Sequence, residues 1–158
     1  MRLNLGCGSF ILPGHINVDR VSMPGVDQVH NLDVAPWPWP DGAAERIEAK
    51  DVFEHVDDPI LFMTECWRVL APAGTLRIRT PYWRSRDAFT DPTHKRFPTE
   101  HTFDYWIPGT ELYRANNRAY GAVCFQRVSS RLDGGSMELI FAKLQKGAVS
   151  AARAGTVH

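Results

Sequence analysis

The sequence predicts an α/β fold whose sheet is mostly parallel and ends in an antiparallel hairpin. Two observations lead to this prediction. In the N-terminal half, short runs of alternating apolar and polar residues are separated by turns and by one helical segment, as in parallel sheets. Near the C-terminus, the strand-like runs 125–132 and 137–144 flank the turn sequence DGGS, which is typical of a tight hairpin. This hairpin would form an antiparallel edge of the sheet.

Three strand-like runs occupy the N-terminal part of the chain: Arg2–Leu5, Ile16–Asp19 and residues 46–50. The connection between the first two is short, because only ten residues separate Gly8 from Asp19. A crossover that carries a helix needs a dozen residues or more. We therefore expect the first crossover helices to be shortened or missing.

One clear helix is predicted after residue 58. The segment APWPWPDG, residues 35–42, cannot be helical, because its three prolines hold the backbone extended or turned. Asp58 can then cap a helix whose first residue is Pro59. The sequence APAG, residues 71–74, would end this helix, and residues 75–80 would form the next strand.

The spacing of apolar and charged residues predicts which face of this helix is buried and which is exposed. Four apolar side chains should share its buried face: Ile60, Met63, Trp67 and Leu70. Glu65 and Arg68 should pair on the outside, three positions apart. Beyond the next strand, residues 81–98 have no regular pattern, and residues 110–117 predict a second helix.

The two faces of the sheet should differ in polarity. Alternation sends one apolar set to the first face: Leu3, Leu5, Ile16, Val18, Ile47, Ala49, Leu76 and Ile78. It sends a polar set to the second face: Arg2, Asn4, Asn17, Arg46, Glu48, Lys50, Arg77 and Arg79. Because unpaired charges are costly to bury, we expect the second face to lack a helical layer. Its charges should be solvated or paired, with Glu48 near Arg2, Arg77 or Arg79. The alternative is a homodimer whose second subunit covers this face.

Length and composition limit the kinds of protein that this chain can be. The 158 residues suggest one domain, residues 1–146, followed by an Ala- and Gly-rich tail, residues 147–158, that we expect to fray. Lys and Arg number 18, as do Asp and Glu, so the net charge is zero and we expect no nucleic-acid partner. The sequence also shows no signal peptide and no long apolar run, so we expect no membrane partner.

Cysteine usage favours a reducing compartment. The three cysteines, Cys7, Cys66 and Cys124, are an odd number at wide spacings and do not form a disulfide or zinc pattern. A cytoplasmic location is the simplest expectation.

The glycine turn Gly6-Cys7-Gly8, directly after the first strand, predicts a ligand site. A P-loop is excluded, because no Gly-x-x-x-x-Gly-Lys-Ser/Thr run exists. A dinucleotide site is disfavoured, because the third glycine of its fingerprint is replaced by Ile11. What remains is the glycine turn followed by a second strand ending in Asp19, which can accept both hydroxyls of an adenosine ribose. A tight turn without a ligand is the plain alternative.

Five runs occur in a specific order: LNLGCG, INVD, NLDV, DVFEHV and ECWRVLAPAGTLRI. This order resembles the class I S-adenosylmethionine-dependent methyltransferases, particularly their small, N-terminally shortened members, over residues 2–83. The EHV and RVLAPAG runs resemble the family's usual EHV and RVLKPGG, with Ala71 and Ala73 where Lys and Gly are common. The resemblance implies a Rossmann-like fold, S-adenosylmethionine as cofactor, and methyl transfer.

The resemblance also implies a cofactor site at the ends of four strands. The first glycine turn passes under the methionine part of the cofactor, and the acid that ends the second strand binds the ribose. Residues after the third strand flank the adenine, and the end of the fourth approaches the transferred methyl. The implied cofactor-binding residues are Gly6, Cys7, Gly8, Asp19, Leu32, Asp33, Lys50 and Asp51.

Candidate catalytic residues follow the fourth and fifth strands. Methyl transfer is an in-line displacement, so a base is needed only when the acceptor must lose a proton. His55 is a candidate base, although a helix-entry histidine bonded to backbone is the plainer interpretation. Asp91 and His94, in the unusual run 89–106, are candidates for the acceptor side, and their alternative is a capped turn.

The same region allows two other roles. Asp91, His94 and His101 have ligand types that suit metals, but their spacing does not favour a site, so no metal is predicted. Four aromatic residues would form either an acceptor wall or part of the core: Tyr82, Trp83, Tyr105 and Trp106.

These inferences lead to a methyltransferase that acts on a small-molecule or glycan-like acceptor. The alternative is a non-catalytic module of the same fold that binds the cofactor or a partner. An enzyme of NAD or nucleotide sugars is disfavoured by the missing third glycine.

Overall fold

The computed structural model describes residues 1–116, 119 and 123–145. Within these residues, seven strands form one sheet in the order β3-β2-β1-β4-β5-β7-β6. The strands are β1 (Arg2–Leu5), β2 (Ile16–Asp19), β3 (Gln28–Val29), β4 (Ala44–Lys50), β5 (Leu70–Pro81), β6 (Phe125–Asp133) and β7 (Ser136–Lys143). Strands β1 to β5 are parallel, and β7 runs antiparallel to β5 and β6. The predicted fold class is confirmed. The expected tail, 147–158, lies outside the described residues.

The helices are α1 (Pro59–Val69), α2 (Arg86–Thr90), a 3-10 helix (Thr102–Trp106) and α3 (Glu111–Asn116). Helix α1 begins as predicted, because Oδ1 of Asp58 accepts the N–H groups of Ile60 and Leu61 at 2.8 and 3.0 Å. The expectation that residues 81–98 are irregular was wrong at α2. There the Ser85 hydroxyl caps a short helix by accepting the N–H of Ala88 at 3.2 Å.

The buried face of α1 differs from the predicted one. Its buried residues are Phe62, Met63, Glu65, Cys66 and Val69, whereas Ile60 and Trp67 are half-buried and Leu70 belongs to β5. Glu65 does pair with Arg68, at 2.7 Å, but it lies inside and not on the outside. The reason is a second partner that spacing cannot reveal: Oε2 of Glu65 accepts the backbone N–H of Trp37 at 2.6 Å.

The proline-rich segment 35–42 connects β3 to β4 and packs against the core. Its two tryptophans, Trp37 and Trp39, are buried in the core and touch edge to face, with ring centroids 6.0 Å apart. Each indole N–H has a partner, the carbonyl of Leu32 at 3.0 Å and Oε1 of Gln28 at 3.1 Å. Two large aromatic side chains thus supply apolar surface to the core.

The sheet is buried on one face and polar on the other, as predicted. Leu3, Leu5, Ile47, Leu76 and Ile78 are fully buried on the first face. On the second face, Arg77 reaches Glu138 at 2.6 Å and Glu48 at 3.8 Å, while Arg79 reaches Asp51 at 3.6 Å.

The arginines of the polar face remain in contact with solvent. The Arg77 and Arg79 side chains are 40% and 39% exposed, so no helix among the described residues lies over them. Near β1 the same face is covered by a loop, where the Asn4 amide donates to the carbonyl of Phe10 at 2.7 Å.

Candidate functional site

A cleft of about 540 Å³ lies at the carboxyl ends of the parallel strands. Its walls include Gly6 after β1, Asp19 at the end of β2, His30 after β3 and Asp51 after β4. The strand order reverses between β1 and β4, and open α/β sheets bind ligands at such a switch point. The volume lies within the range of small-molecule and cofactor sites.

The glycine turn and the strand-end acid are joined directly. Oδ2 of Asp19 accepts the backbone N–H of Gly8 at 2.9 Å, and Oδ1 accepts the N–H of Val21 at 3.0 Å. A carboxylate has about four lone-pair positions, so both oxygens keep capacity for a further donor. The acid is therefore held rigidly and can still accept two hydroxyl groups from the cleft.

Gly6 is required by geometry on two counts. Its φ is +57°, in the left-handed region, and a Cβ there would lie 2.5 Å from Cγ2 of Val52. Val52 itself lines the cleft, so the absence of a side chain at Gly6 lets this wall close against β4. Gly8 also has a positive φ, +49°, but a Cβ there would meet nothing within 4 Å.

The opposite end of the cleft is formed by the residues after β3. Leu32 is largely buried and lines it together with Asp33. Oδ1 of Asp33 accepts the N–H of Asp57 at 2.7 Å, which ties this segment to the one after β4. Leu32 offers an apolar contact, and the neighbouring Asp33 offers a hydrogen-bond acceptor. This pair fits an aromatic base that carries an amino group.

The structure brings five of the eight predicted cofactor residues to the cleft: Gly6, Asp19, Leu32, Asp33 and Asp51. The other three are not among the residues that line it. Gly8 instead holds Asp19, Cys7 is buried behind the turn, and Nζ of Lys50 lies 4.1 Å above the Phe10 ring. The position of Lys50 follows from alternation along β4, because it shares the polar face with Arg46 and Glu48.

His55 lines the cleft, and its hydrogen bonds define its proton positions. Its Nδ1 lies 3.0 Å from the Thr93 hydroxyl, which donates to Oδ1 of Asp91 at 2.7 Å. The hydroxyl therefore accepts from Nδ1–H, which leaves Nε2 unprotonated when the ring is neutral. Burial, assisted by His94, lowers the pKa of His55 and favours that neutral form.

His94 packs against His55 but is not among the residues that line the cleft. The two ring centroids are 4.8 Å apart at an interplanar angle of 68°. Nδ1 of His94 lies 2.8 Å from the carbonyl of Ala88, which can only accept, so Nδ1 carries the proton here as well. The surrounding loop is docked on the segment after β4, where the N–H of Lys95 donates to the carbonyl of Glu54 at 2.8 Å.

Glu54 was missed as a separate candidate, although it stands in the EHV run. Its side chain is fully buried, and Oε2 accepts the Thr80 hydroxyl at 3.0 Å. Within the described residues, Oε1 is buried and has no hydrogen-bond partner. Burial raises the pKa of Glu54 to about 7. Only the three-dimensional structure shows that this carboxylate lies close to both His55 and His94.

The other candidate metal ligand and the candidate wall aromatics lie away from the cleft. His101 does not join His94; its Nδ1 pairs with Asp104 at 2.9 Å. Trp106 is buried and packs near Phe103 in the core, and none of the four candidate wall aromatics is among the residues that line the cleft. No helix in the described part of the chain is both long and apolar enough to cross a membrane.

Comparisons with known proteins agree with these features. A family model described as a methyltransferase domain matches residues 11–78. A protein of Mycolicibacterium smegmatis, named a probable S-adenosylmethionine-dependent methyltransferase, is 35% identical over 81 residues, which are 49% of this chain and 31% of that protein. The match thus spans about a third of the length of that curated relative.

Solved structures share the fold. A methyltransferase from Thermotoga maritima, described as a possible histamine N-methyltransferase, has a TM-score of 0.63 and 17% identity, over 90% of this chain and 82% of that one. The YcgJ protein from Bacillus subtilis has a TM-score of 0.62 and 13% identity, over 91% and 92%. The cyclase SpnF has a TM-score of 0.61 and 15% identity, over 90% and 73%.

The chain is therefore similar to class I S-adenosylmethionine-dependent methyltransferases, the class that its sequence motifs resemble, and a methyltransferase-domain model matches its residues 11–78. The cofactor of this class is S-adenosylmethionine, and the cleft fits it in two respects. Asp19 offers two partly used carboxylate oxygens to a ribose, and the missing side chain at Gly6 leaves the space that Val52 occupies in the cleft wall.

Proposed function

We propose that this chain binds S-adenosylmethionine in the cleft and transfers its methyl group to a small-molecule or glycan-like acceptor. The observation that carries the proposal is the bond from Gly8 to Asp19, which fixes an acid at the mouth of the switch-point cleft. The neutral net charge of the chain favours an acceptor other than a nucleic-acid duplex.

Each wall of the cleft receives one part of the cofactor in this proposal. Asp19 accepts the ribose hydroxyls, Leu32 covers the adenine, and Asp33 faces its amino group. Gly6 and Asp51 border the methionine part, where the negative charge of Asp51 complements the cationic sulfonium and ammonium groups. Cys7, Gly8 and Lys50 support the turn and the strand end from behind.

The cofactor supplies an already activated methyl group, so the main task of the protein is alignment. His55 stands on the acceptor side of the cleft with Nε2 unprotonated, and the chain Asp91–Thr93–His55 fixes the orientation of its ring. It can take a proton from an acceptor hydroxyl or amine. Asp91 and His94 act through His55, Asp91 by way of Thr93 and His94 by packing on the ring.

A non-catalytic binding module remains the second candidate. The cyclase SpnF has the same fold, so the fold by itself does not require methyl transfer. The experiment is production of S-adenosylhomocysteine over a panel of hydroxyl- and amine-bearing acceptors, with calorimetric titration of S-adenosylmethionine beside it. Binding with turnover supports the enzyme, and binding without turnover supports a cofactor-binding module. Absence of binding contradicts both of these and leaves only a module that binds a partner.

A further inference from the structure

We propose that Glu54, His55 and His94 form a binding site for a divalent transition-metal ion beside the cleft. One carboxylate oxygen and one ring nitrogen from each histidine lie within 4.8 Å of one another. Two histidines and a carboxylate are a donor set that proteins use for zinc and for non-haem iron. This set differs from the sequence-based trio, because Glu54 and His55 take the places of Asp91 and His101.

The hydrogen bonds of the histidines are those of metal ligands. In metal sites the second ring nitrogen donates to a carbonyl, carboxylate or similar acceptor, which fixes the tautomer. Nδ1 of His94 donates to the carbonyl of Ala88 at 2.8 Å, and Nδ1 of His55 donates to the Thr93 hydroxyl at 3.0 Å. Both rings are thereby left with Nε2 as a lone-pair donor.

Glu54 provides a second, independent observation. Its side chain is fully buried, and Oε1 has no hydrogen-bond partner among the described residues. A buried carboxylate oxygen without a partner is costly and rare in folded proteins. A bound cation would supply the missing partner, while Thr80 continues to hold Oε2 at 3.0 Å.

The fold brings the three ligands together from two segments. Glu54 and His55 follow β4, and His94 lies in the loop that the Lys95 N–H fastens to the Glu54 carbonyl at 2.8 Å. Zinc bonds of about 2.0–2.2 Å separate tetrahedral ligand atoms by about 3.3–3.5 Å. The ligand atoms would therefore approach one another by up to about 1.5 Å on binding, through small side-chain shifts that keep each Nδ1–H on its acceptor.

Three protein ligands leave a coordination position for water or substrate. Because His55 lines the cleft, an acceptor oxygen there could bind the ion and lose its proton more readily. The ion would then replace the free His55 imidazole in acceptor activation. This use rests on the proposed methyl transfer, whereas the binding itself does not.

The test is metal binding by the untagged 158-residue chain after removal of metals with a chelator. Zn²⁺ is titrated by calorimetry, and Co²⁺ is followed by its visible absorption. We expect one equivalent to bind, with at least tenfold weaker binding in Glu54→Gln and in His94→Ala. His101→Ala is the matched control and should bind Zn²⁺ as the wild type does, because His101 pairs with Asp104.

Histidine NMR of the wild-type protein covers the case in which a variant does not fold. Zn²⁺ should shift the Nε2 signals of His55 and His94 and leave His101 unchanged. Equal Zn²⁺ affinity in all folded variants, unchanged His55 and His94 signals, or a Co²⁺ spectrum typical of thiolate ligands would overturn the proposal. Titration of the metal-free protein with S-adenosylmethionine distinguishes the metal site from the proposed function. If the protein binds the cofactor but not Zn²⁺, only the metal-site proposal is wrong.

Discussion

The backbone N–H of Gly8 lies 2.9 Å from Oδ2 of Asp19 and donates a hydrogen bond to it. This bond joins the end of β2 to the glycine turn and aims the carboxylate at the cleft. Asp19→Ala should therefore weaken S-adenosylmethionine binding by roughly 1.5–3 kcal/mol for each charge-assisted bond lost. Calorimetric titration measures the change.

Asp27→Ala is a suitable control for this variant. Oδ2 of Asp27 also accepts a backbone N–H of β2, from Asn17 at 2.8 Å, but Asp27 is not among the residues that line the cleft. It should lower stability and leave cofactor affinity unchanged. If Asp19→Ala binds the cofactor as tightly as the wild type does, the ribose site lies elsewhere.

The two glycines of the turn should respond differently to alanine. Gly6→Ala places a Cβ 2.5 Å from Val52 Cγ2, so it should both strain the backbone and deform the cleft wall. Gly8→Ala meets open space and should cost about 1–2 kcal/mol, from backbone strain alone. Chemical denaturation and cofactor titration of both variants check this. Equal losses of cofactor affinity would contradict the assigned geometry.

Sequence patterns predicted the sheet well because alternation and turn chemistry are local properties. The strand Arg2–Leu5, the cap at Asp58 and the hairpin around Gly134 each depend on neighbouring residues, and each prediction is confirmed. The inward position of Glu65 was not predictable, because its partner Trp37 lies 28 positions away.

The candidate site shows the same limit. Asp19 was predicted because it ends a strand-like run, which is a local pattern, and its side chain does line the cleft. Lys50 was assigned to the cofactor by resemblance, but its side chain lies over Phe10. The meeting of Glu54 with His94 depends on how the loop after α2 docks, and no local pattern encodes that.

Glu65 should make stability depend on pH. Its burial would raise its pKa, but the hydrogen bonds from Arg68 and from the Trp37 N–H outweigh burial and lower it. A carboxyl group with a lowered pKa stabilises the fold above its ordinary value of 4.5 and loses that contribution as the pH falls through the folded value. Glu65→Gln should thus be less stable than the wild type at neutral pH, by on the order of 2 kcal/mol.

This difference should shrink as the pH falls below 4.5, which denaturation at several pH values measures. Glu45→Gln is the control, because Glu45 pairs with Arg2 at the exposed surface. It should change stability little at any pH. A Glu65→Gln deficit that is constant with pH would contradict the assigned charge state.

His94→Ala should reduce turnover far more than cofactor affinity. His94 is not among the residues that line the cleft, but its ring packs on His55 with centroids 4.8 Å apart. Loss of this support should lower kcat/KM for the acceptor roughly tenfold or more. Steady-state kinetics and cofactor titration separate the two quantities. Normal turnover in this variant would contradict the prediction and indicate that His94 only forms part of a capped turn.

Neighbouring residues of β5 should differ sharply in their contribution to stability. Ile78 is fully buried, so Ile78→Ala should cost about 2–5 kcal/mol. The Arg77 side chain is 40% exposed, and Arg77→Met should change stability by about 1 kcal/mol at most. Urea denaturation compares the two. A large, salt-sensitive loss for Arg77→Met would instead indicate that a second subunit covers this face.

The short connection between β1 and β2 also bears on the order in which the sheet can assemble. Asn4 and Asn17, on these paired strands, are 13 positions apart, whereas Arg2 and Glu45 are 43 apart and Arg77 and Glu138 are 61 apart. Closing a chain loop costs about 0.6 kcal/mol more for each doubling of its length. The β2–β3 ladder, which pairs Val18 with Gln28, and the β1–β2 ladder, which pairs Asn4 with Asn17, are therefore the parallel pairs with the lowest entropic barriers. The glycine turn and Asp19 can thus meet before β4 and β5 dock. The half of the cleft that would hold the ribose is encoded in a segment short enough to organise early, while the histidine cluster needs longer loops to close, such as the 38 positions between His55 and Thr93.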